Sequence, residues 1–196
     1  GSGGRQIGEL VAKTLGIAYY DKKLITLAAQ KSGLSDEFIA NNEQRVRNGF
    51  MQNLAASAAY SSGFFSSQYL PLSESIFISE AQVIRDIAAK ESAVIVGRCA
   101  DYILDTANIP ALNVFIHANM EYRKAHVLER YGKTNVPIEK RLRKKDKGRK
   151  TYYRYYTDRE WGQSNYYHIS LDASYLGELT CVDIITSAAR RKNENK

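Results

Sequence analysis

Residues 1–6, Gly1-Ser2-Gly3-Gly4-Arg5-Gln6, set three glycines and an arginine at the start of a helical pattern. Glycines let the backbone wrap an anion with its N–H groups, and a helix start adds positive potential. In that setting Arg5 is the cation for phosphate oxygens. A flexible Gly-Ser leader is the competing reading, and the amphipathic run that follows Arg5 directly favours the loop. The pattern G-x-x-x-x-G-K-[ST] is not met: with Gly4-Arg5 at its Gly-Lys, Gln6 stands where Ser or Thr binds magnesium. A second cationic group lies at 140–154, "KRLRKKDKGRKTYYR", with nine Lys/Arg and one acid. The rest of the chain then holds 19 basic and 20 acidic residues, a net of −1 against +7 for the whole. Such density repels itself without an anionic partner. A lone arginine, Arg98, ends the apolar run "SAVIVGR" at 92–98.

These groups suit phosphoryl transfer. It asks for two substrates held in line and positive charge around the transferring group, with little covalent work from the protein. No Ser-His-Asp constellation or catalytic carboxylate pair competes with that reading. His117, His126 and His168 are scattered without metal-ligand spacing, so no zinc site is expected. Cys99 and Cys181 read as reduced thiols, Cys99 buried and inert beside Arg98. No stretch approaches the roughly 18 apolar residues of a membrane span, and no signal peptide is visible, so a cytoplasmic protein is expected. With 196 residues, 44% of them hydrophobic, 1–196 reads as one domain with a sizeable core.

The elements that must hold these groups alternate. Ile7, Leu10, Val11 and Leu15 share one helical face, and Gly16 closes that helix. Short apolar strands are expected at 17–20, 92–98, 112–117 and 167–172. Helices are expected at 22–32, from Ser35, at 74–90, from Asn119 to Tyr131, from Pro137 through the basic stretch, and at 176–191. Residues 49–75, rich in Ala, Ser, Gly and aromatics, read as a small-residue helix and an irregular mobile stretch. Alternation of buried strands with helices argues a parallel α/β sheet. A helix opening on a glycine bend follows a strand in such folds, so a strand ahead of Gly1 is expected. Trp161-Gly162 reads as a structural turn, and Asp172 as a helix cap or a ligand for water or magnesium.

Taken in order, "GSGGRQIGELVAKTLGIAYYDKKLI", "VIVGRCADYIL", "VFIHANMEYRKAHV", "DKGRKTYYRYYTDREWG" and "SNYYHISLDAS" resemble the cytidylate kinase-like family, divergent relatives of bacterial cytidylate kinase among the P-loop nucleoside-monophosphate kinases. The likeness spans nearly the whole chain except about 40–75. It implies an α/β P-loop NTPase-type three-layer fold with a five-stranded parallel sheet, its central first strand upstream of residue 1. It also implies a helical acceptor-binding region at 35–75 and a mobile lid at 133–165.

The resemblance also implies roles. Gly1, Ser2, Gly3, Gly4, Arg5 and Gln6 form the nucleotide loop; Asp21, Arg98 and Asp101 fall at the acceptor site. Arg141, Arg143, Asp146 and Arg149 form the lid core, with Arg123 and Arg130 on the helix leading in. Arg5, Arg98 and Arg149 are the expected catalytic cations, ATP with Mg2+ the donor, and a small phosphorylated acceptor such as CMP or dCMP the partner. Two departures bear on acceptor recognition: Cys99-Ala100 intervene between Gly97-Arg98 and Asp101, and Lys22-Lys23 replace a threonine-glycine pair. Two other classes stay open, a nucleotide sensor of the same fold without turnover, and a nucleic-acid binder using the tyrosine-interleaved basic stretch at 140–156. The short patch on a slightly acidic chain argues against the second.

Overall fold

Ile7, Val11 and Ala12 line up on one side of the first helix, and the core begins on that side. The computed structural model describes residues 1–21, 72–132 and 135–194. Helix α1 (Gly4–Leu15) opens on Gly3 in the left-handed conformation and closes on Gly16, whose N–H reaches the carbonyls of Ala12 and Lys13. Strand β1 (Ala18–Tyr20) follows. Next come α2 (Leu72–Lys90), β2 (Ala93–Ile95), α3 (Ala100–Thr106), β3 (Val114–His117) and α4 (Met120–Tyr131). The long basic helix α5 (Ile138–Thr157), β4 (Ile169–Asp172), α6 (Ala173–Leu176) and α7 (Glu178–Glu194) complete the order. Asn119 caps α4 by accepting from Tyr122 N–H, and Asp172 caps α6 by accepting from Ser174 N–H at 2.9 Å. The sequence left Asp172 between cap and ligand; the cap is what forms.

The strands pair in parallel, β1 with β2 and β3 with β4. The five-stranded sheet that the resemblance implies, with its central strand ahead of Gly1, is not seen among the described residues, whose four strands form two two-stranded sheets. β2 and β3 each spend one edge on a neighbour, and a cavity of about 1900 Å³ lined by Val94, Val96, Val114 and Ile116 runs between them. Side chains alternate across each strand. Ile95 packs with α2 and α3, while Val94, Val114 and Ile116 pack with α1 and α7. Helices thus cover both faces. α1 spans the two sheets: a Cβ on Gly8 would lie 3.1 Å from Val96 Cγ2, and one on Gly4 3.4 Å from Ile116 Cβ. The expected helix at 22–32 and region at 35–75, apart from residues 72–75, lie outside the described residues, as do Lys22 and Lys23.

After α5 the chain turns at Trp161-Gly162. The Trp161 ring meets Phe115 edge-on at 5.2 Å. Gly162 has φ +83, and a Cβ there would fall 2.8 Å from Phe115 Cζ. Both conformation and space demand glycine. The Gly162→Ala variant is expected to lose about 2 kcal/mol, from left-handed strain plus overpacking. Urea denaturation checks this, and an unchanged midpoint would refute it.

Candidate functional site

The site is built on the start of α1. Its first N–H groups have no intrahelical acceptor, and Gly3 caps it without a side-chain partner. Close packing dictates the glycines. A Cβ on Gly1 would lie 2.9 Å from Leu142 Cδ2 and 3.3 Å from Arg123 Cβ, so the loop is wedged under α4 and α5. A Cβ on Gly3, at φ +76, would lie 3.0 Å from Glu178 Oε1. All six residues of the loop line the large cavity, together with Asp21 from the end of β1 and His117 from the end of β3. Helix α4 adds Arg123 and Arg130 to the lining, and α5 adds Arg143, Asp146 and Arg149. Arg98, Asp101 and Arg141 are not part of it.

One carboxylate organises the cations. Asp146 meets Arg123 across the α4–α5 contact at 2.6 Å and Arg149 one turn along α5 at 2.9 Å. Arg123 is only 14% exposed and its Nε, buried, has no hydrogen-bond partner among the described residues. Arg143 pairs with Glu139, 2.7 Å away, which also takes Lys124 at 3.3 Å. Arg143 and then Lys124 hold the Glu139 carboxyl below its ordinary range. Arg5 lies in a different pair: its Nε sits 2.7 Å from Asp21, and that carboxylate raises its pKa. The expected donor cation and the expected acceptor-side acid are thus partners.

Gln6 faces α4. His126 Nε2 lies 2.5 Å from Gln6 Oε1 and 3.4 Å from Glu178 Oε1. Neither His126 nor Glu178 stands out in the sequence, since both look like ordinary polar positions on amphipathic helices.

Arg98 sits apart, at a strained turn. Gly97, Arg98 and Cys99 have φ +82, +58 and +55, three left-handed residues in succession. Two of them carry side chains, at a cost of order 1–2 kcal/mol each. The turn brings Arg98 Nε within 3.4 Å of Glu80 Oε1, although not in hydrogen-bonding alignment. Glu80, on α2, is fully buried and takes a hydrogen bond from Tyr152 Oη at 3.3 Å. Burial pushes the Glu80 carboxyl up to about 7 and the neighbouring Cys99 thiol up to about 12. The thiol is therefore inert. Glu80 escaped sequence reading because an acid within "IFISEAQVI" resembles any solvated helix position.

Asp101 accepts from Tyr153 Oη at 2.5 Å, and burial followed by Asp101 raises that phenol's pKa. Tyr156 stacks on Phe77 at 3.9 Å, and Arg159 pairs with Asp105 at 2.6 Å. Residues 152–159 of the expected lid are therefore fastened to α2 and α3. The half of α5 that carries Arg143, Asp146 and Arg149 instead borders the cavity. Among the described residues no cluster of His, Cys, Asp and Glu could hold a metal ion, and no helix is long and apolar enough to cross a membrane.

The chain belongs to the cytidylate kinase-like family, whose model matches residues 1–175. A solved structure of an uncharacterized protein from Eubacterium ventriosum ATCC 27560 is similar, with TM-score 0.66 and 26% identity over 96% of this chain and 91% of that one. No curated protein matches.

Glu80 makes stability depend on pH. Its carboxyl is raised from 4.5 to about 7 on folding, so the native state holds its proton more tightly. The resulting stabilisation is full below 4.5 and is lost as pH rises through about 7. The loss is at most about 3 kcal/mol, and the hydrogen bond from Tyr152 Oη already offsets part of the effect of burial. Glu80→Gln is expected to remove that slope, gaining on the parent by about 1–3 kcal/mol between pH 5 and pH 8. Parallel unfolding curves at the two pH values would contradict it.

Proposed function

We propose that this member of the cytidylate kinase-like family transfers the γ-phosphoryl group of ATP to a nucleoside monophosphate, with CMP or dCMP the favoured acceptor. The observation that carries the reading is one cavity lined by both the glycine loop and the cations of α4 and α5. It opens at the carboxyl ends of β1 and β3, where α/β sheets bind ligands. A loop of backbone donors, backed by guanidiniums that a shared carboxylate keeps in place, suits a chain of phosphates better than any other small anion. Planar guanidiniums meet phosphate oxygens two at a time.

In this reading, residues 1–6 hold the donor's phosphates. Arg123 and Arg149, aligned by Asp146, face the transferring group. Arg98 receives the acceptor's phosphate and leaves Glu80 to do so, with Asp21, whose charge acts on Arg98, on the acceptor side. An oxygen of the acceptor phosphate attacks the γ-phosphorus, the bond from that phosphorus to the β–γ bridging oxygen breaks, and ADP leaves. No residue of the chain forms a covalent bond; its work is positioning and charge stabilisation. Magnesium arrives on the donor's phosphates as part of the substrate and neutralises charge there.

The three-layer P-loop fold is the finer form of this proposal. A fifth parallel strand leading into the loop would take only the part of the cavity between Val94, Val96, Val114 and Ile116, and would leave the mouth lined by residues 1–6, Arg123, Arg143 and Arg149 to the phosphates. The nucleic-acid alternative loses support from the tyrosines. Tyr152, Tyr153 and Tyr156 are engaged with Glu80, Asp101 and Phe77, leaving few ring faces for bases.

ADP release with MgATP and a panel of nucleoside monophosphates tests the reading. Arg149→Ala is expected to lower kcat by about 10²-fold, the scale of one lost charge-stabilising donor. Arg98→Ala is expected to raise the acceptor KM at least about tenfold while leaving the KM for ATP within about twofold. ATP binding without turnover on any monophosphate would instead identify a nucleotide sensor.

A further inference from the structure

Position 6 follows the loop's arginine, where the usual pattern carries a hydroxyl that binds magnesium. The neighbours of Gln6 decide which end of its amide it can offer. His126 Nε2 faces two oxygens, Gln6 Oε1 at 2.5 Å and Glu178 Oε1 at 3.4 Å. A lone pair on that nitrogen would repel both, so Nε2 carries the proton and donates. The opposite arrangement, with the Gln6 NH2 donating to the ring, would move the ring proton to Nδ1. That atom is buried and has no hydrogen-bond partner among the described residues, so a donor would be stranded there. The ring itself is held. Tyr122 stacks on it at 6.0 Å with planes 10° apart, and the Glu178 carboxylate is pressed against Gly3 of the loop. The Gln6 oxygen is therefore engaged, and the group left to it is an NH2 with two donors. No hydrogen bond among the described residues takes up that NH2, and Gln6 lines the cavity.

We propose that His126 and Glu178 are positioning residues that make Gln6 meet the donor's phosphate oxygens with its NH2. The loop then grips the phosphate chain directly and offers no oxygen at position 6 to the magnesium carried on it. This rests on the assignment of residues 1–6 as the donor-phosphate site. It has a consequence that a loop with a hydroxyl at that position does not share, namely that binding of the phosphate chain needs no metal.

Calorimetric titration of the whole chain tests it, using ATP and inorganic tripolyphosphate, each with magnesium and with EDTA. The parent protein is expected to bind free ATP within about threefold of MgATP. Gln6→Thr, which supplies an oxygen, should shift that ratio by at least about tenfold toward the magnesium form. His126→Phe should weaken binding of free ATP and tripolyphosphate about fivefold, and His126→Gln, which keeps a donor toward both oxygens, should restore it. The parent supplies a readout independent of folding changes: the Gln6 side-chain 15N–H2 resonances should move on addition of tripolyphosphate in EDTA. A parent that prefers MgATP by more than about 30-fold, with unmoved Gln6 resonances, overturns this inference and leaves the donor-site assignment standing. Failure of ATP and tripolyphosphate to bind in either condition overturns both.

Discussion

A bridging carboxylate between two helices is the contact on which the site depends. Asp146 holds Arg123 at 2.6 Å and Arg149 at 2.9 Å, so the two guanidiniums approach each other without the repulsion that would otherwise part them. Because Arg123 belongs to α4 and the other two residues to α5, the same triad sets how those helices sit together. Gly1 lies beneath the contact, close to both Leu142 and Arg123. The glycine turn and its surrounding charges therefore form one packed unit. Arg123 and Asp146 are 14% and 19% exposed, so their pair is stronger and less screened than a surface pair, whereas Arg149 is 48% exposed.

Around this unit the molecule separates two kinds of ionisable group. Those near the α1 start are paired across short distances, Arg5 with Asp21 and both Arg123 and Arg149 with Asp146. Those under α2 and α3, Glu80 and Cys99, are driven toward neutrality by burial. Arg98 connects the two regimes, since its turn is strained and its side chain lies against an acid that loses its proton reluctantly. A guanidinium beside a half-neutral carboxyl is held less firmly than one in a full ion pair. That suits a residue whose proposed task is to change partners.

Local signals in the sequence were read well where a single residue determines the outcome. Gly16 and Asn119 end and begin helices as expected, because caps act through the nearest backbone groups. The four apolar strands were recognisable for the same reason, although they run shorter, Ala93–Ile95 against 92–98 for the second. Strand length is settled by pairing, and pairing is a long-range property that no window of sequence contains. The glycine loop and the basic stretch of α5 stood out by residue type, whereas Arg123 and Arg130 of α4 entered only through the family resemblance. What was not legible is which of them pair. Arg5 with Asp21, Arg98 with Glu80 and Gln6 with His126 are contacts across 16, 18 and 120 positions, created by the fold rather than by spacing. The tyrosines after the basic stretch illustrate the same limit, since composition allowed base stacking or packing and the partners on α2 and α3 decide for packing.

The two attachments of α5 differ in kind, ion pairs to α4 along its first half and tyrosines to α2 and α3 at its far end. Twenty residues of continuous helix form a rod about 30 Å long. Tyr152, Tyr153 and Tyr156 bolt its far end to the body, and Arg143 lies some ten residues away. A tilt of about 10° about those rings would sweep Arg143 through about 2–3 Å, the difference between a hydrogen bond and none. The aromatic contacts at the far end would thus set how far the charged half of α5 could travel once its ion pairs to α4 release.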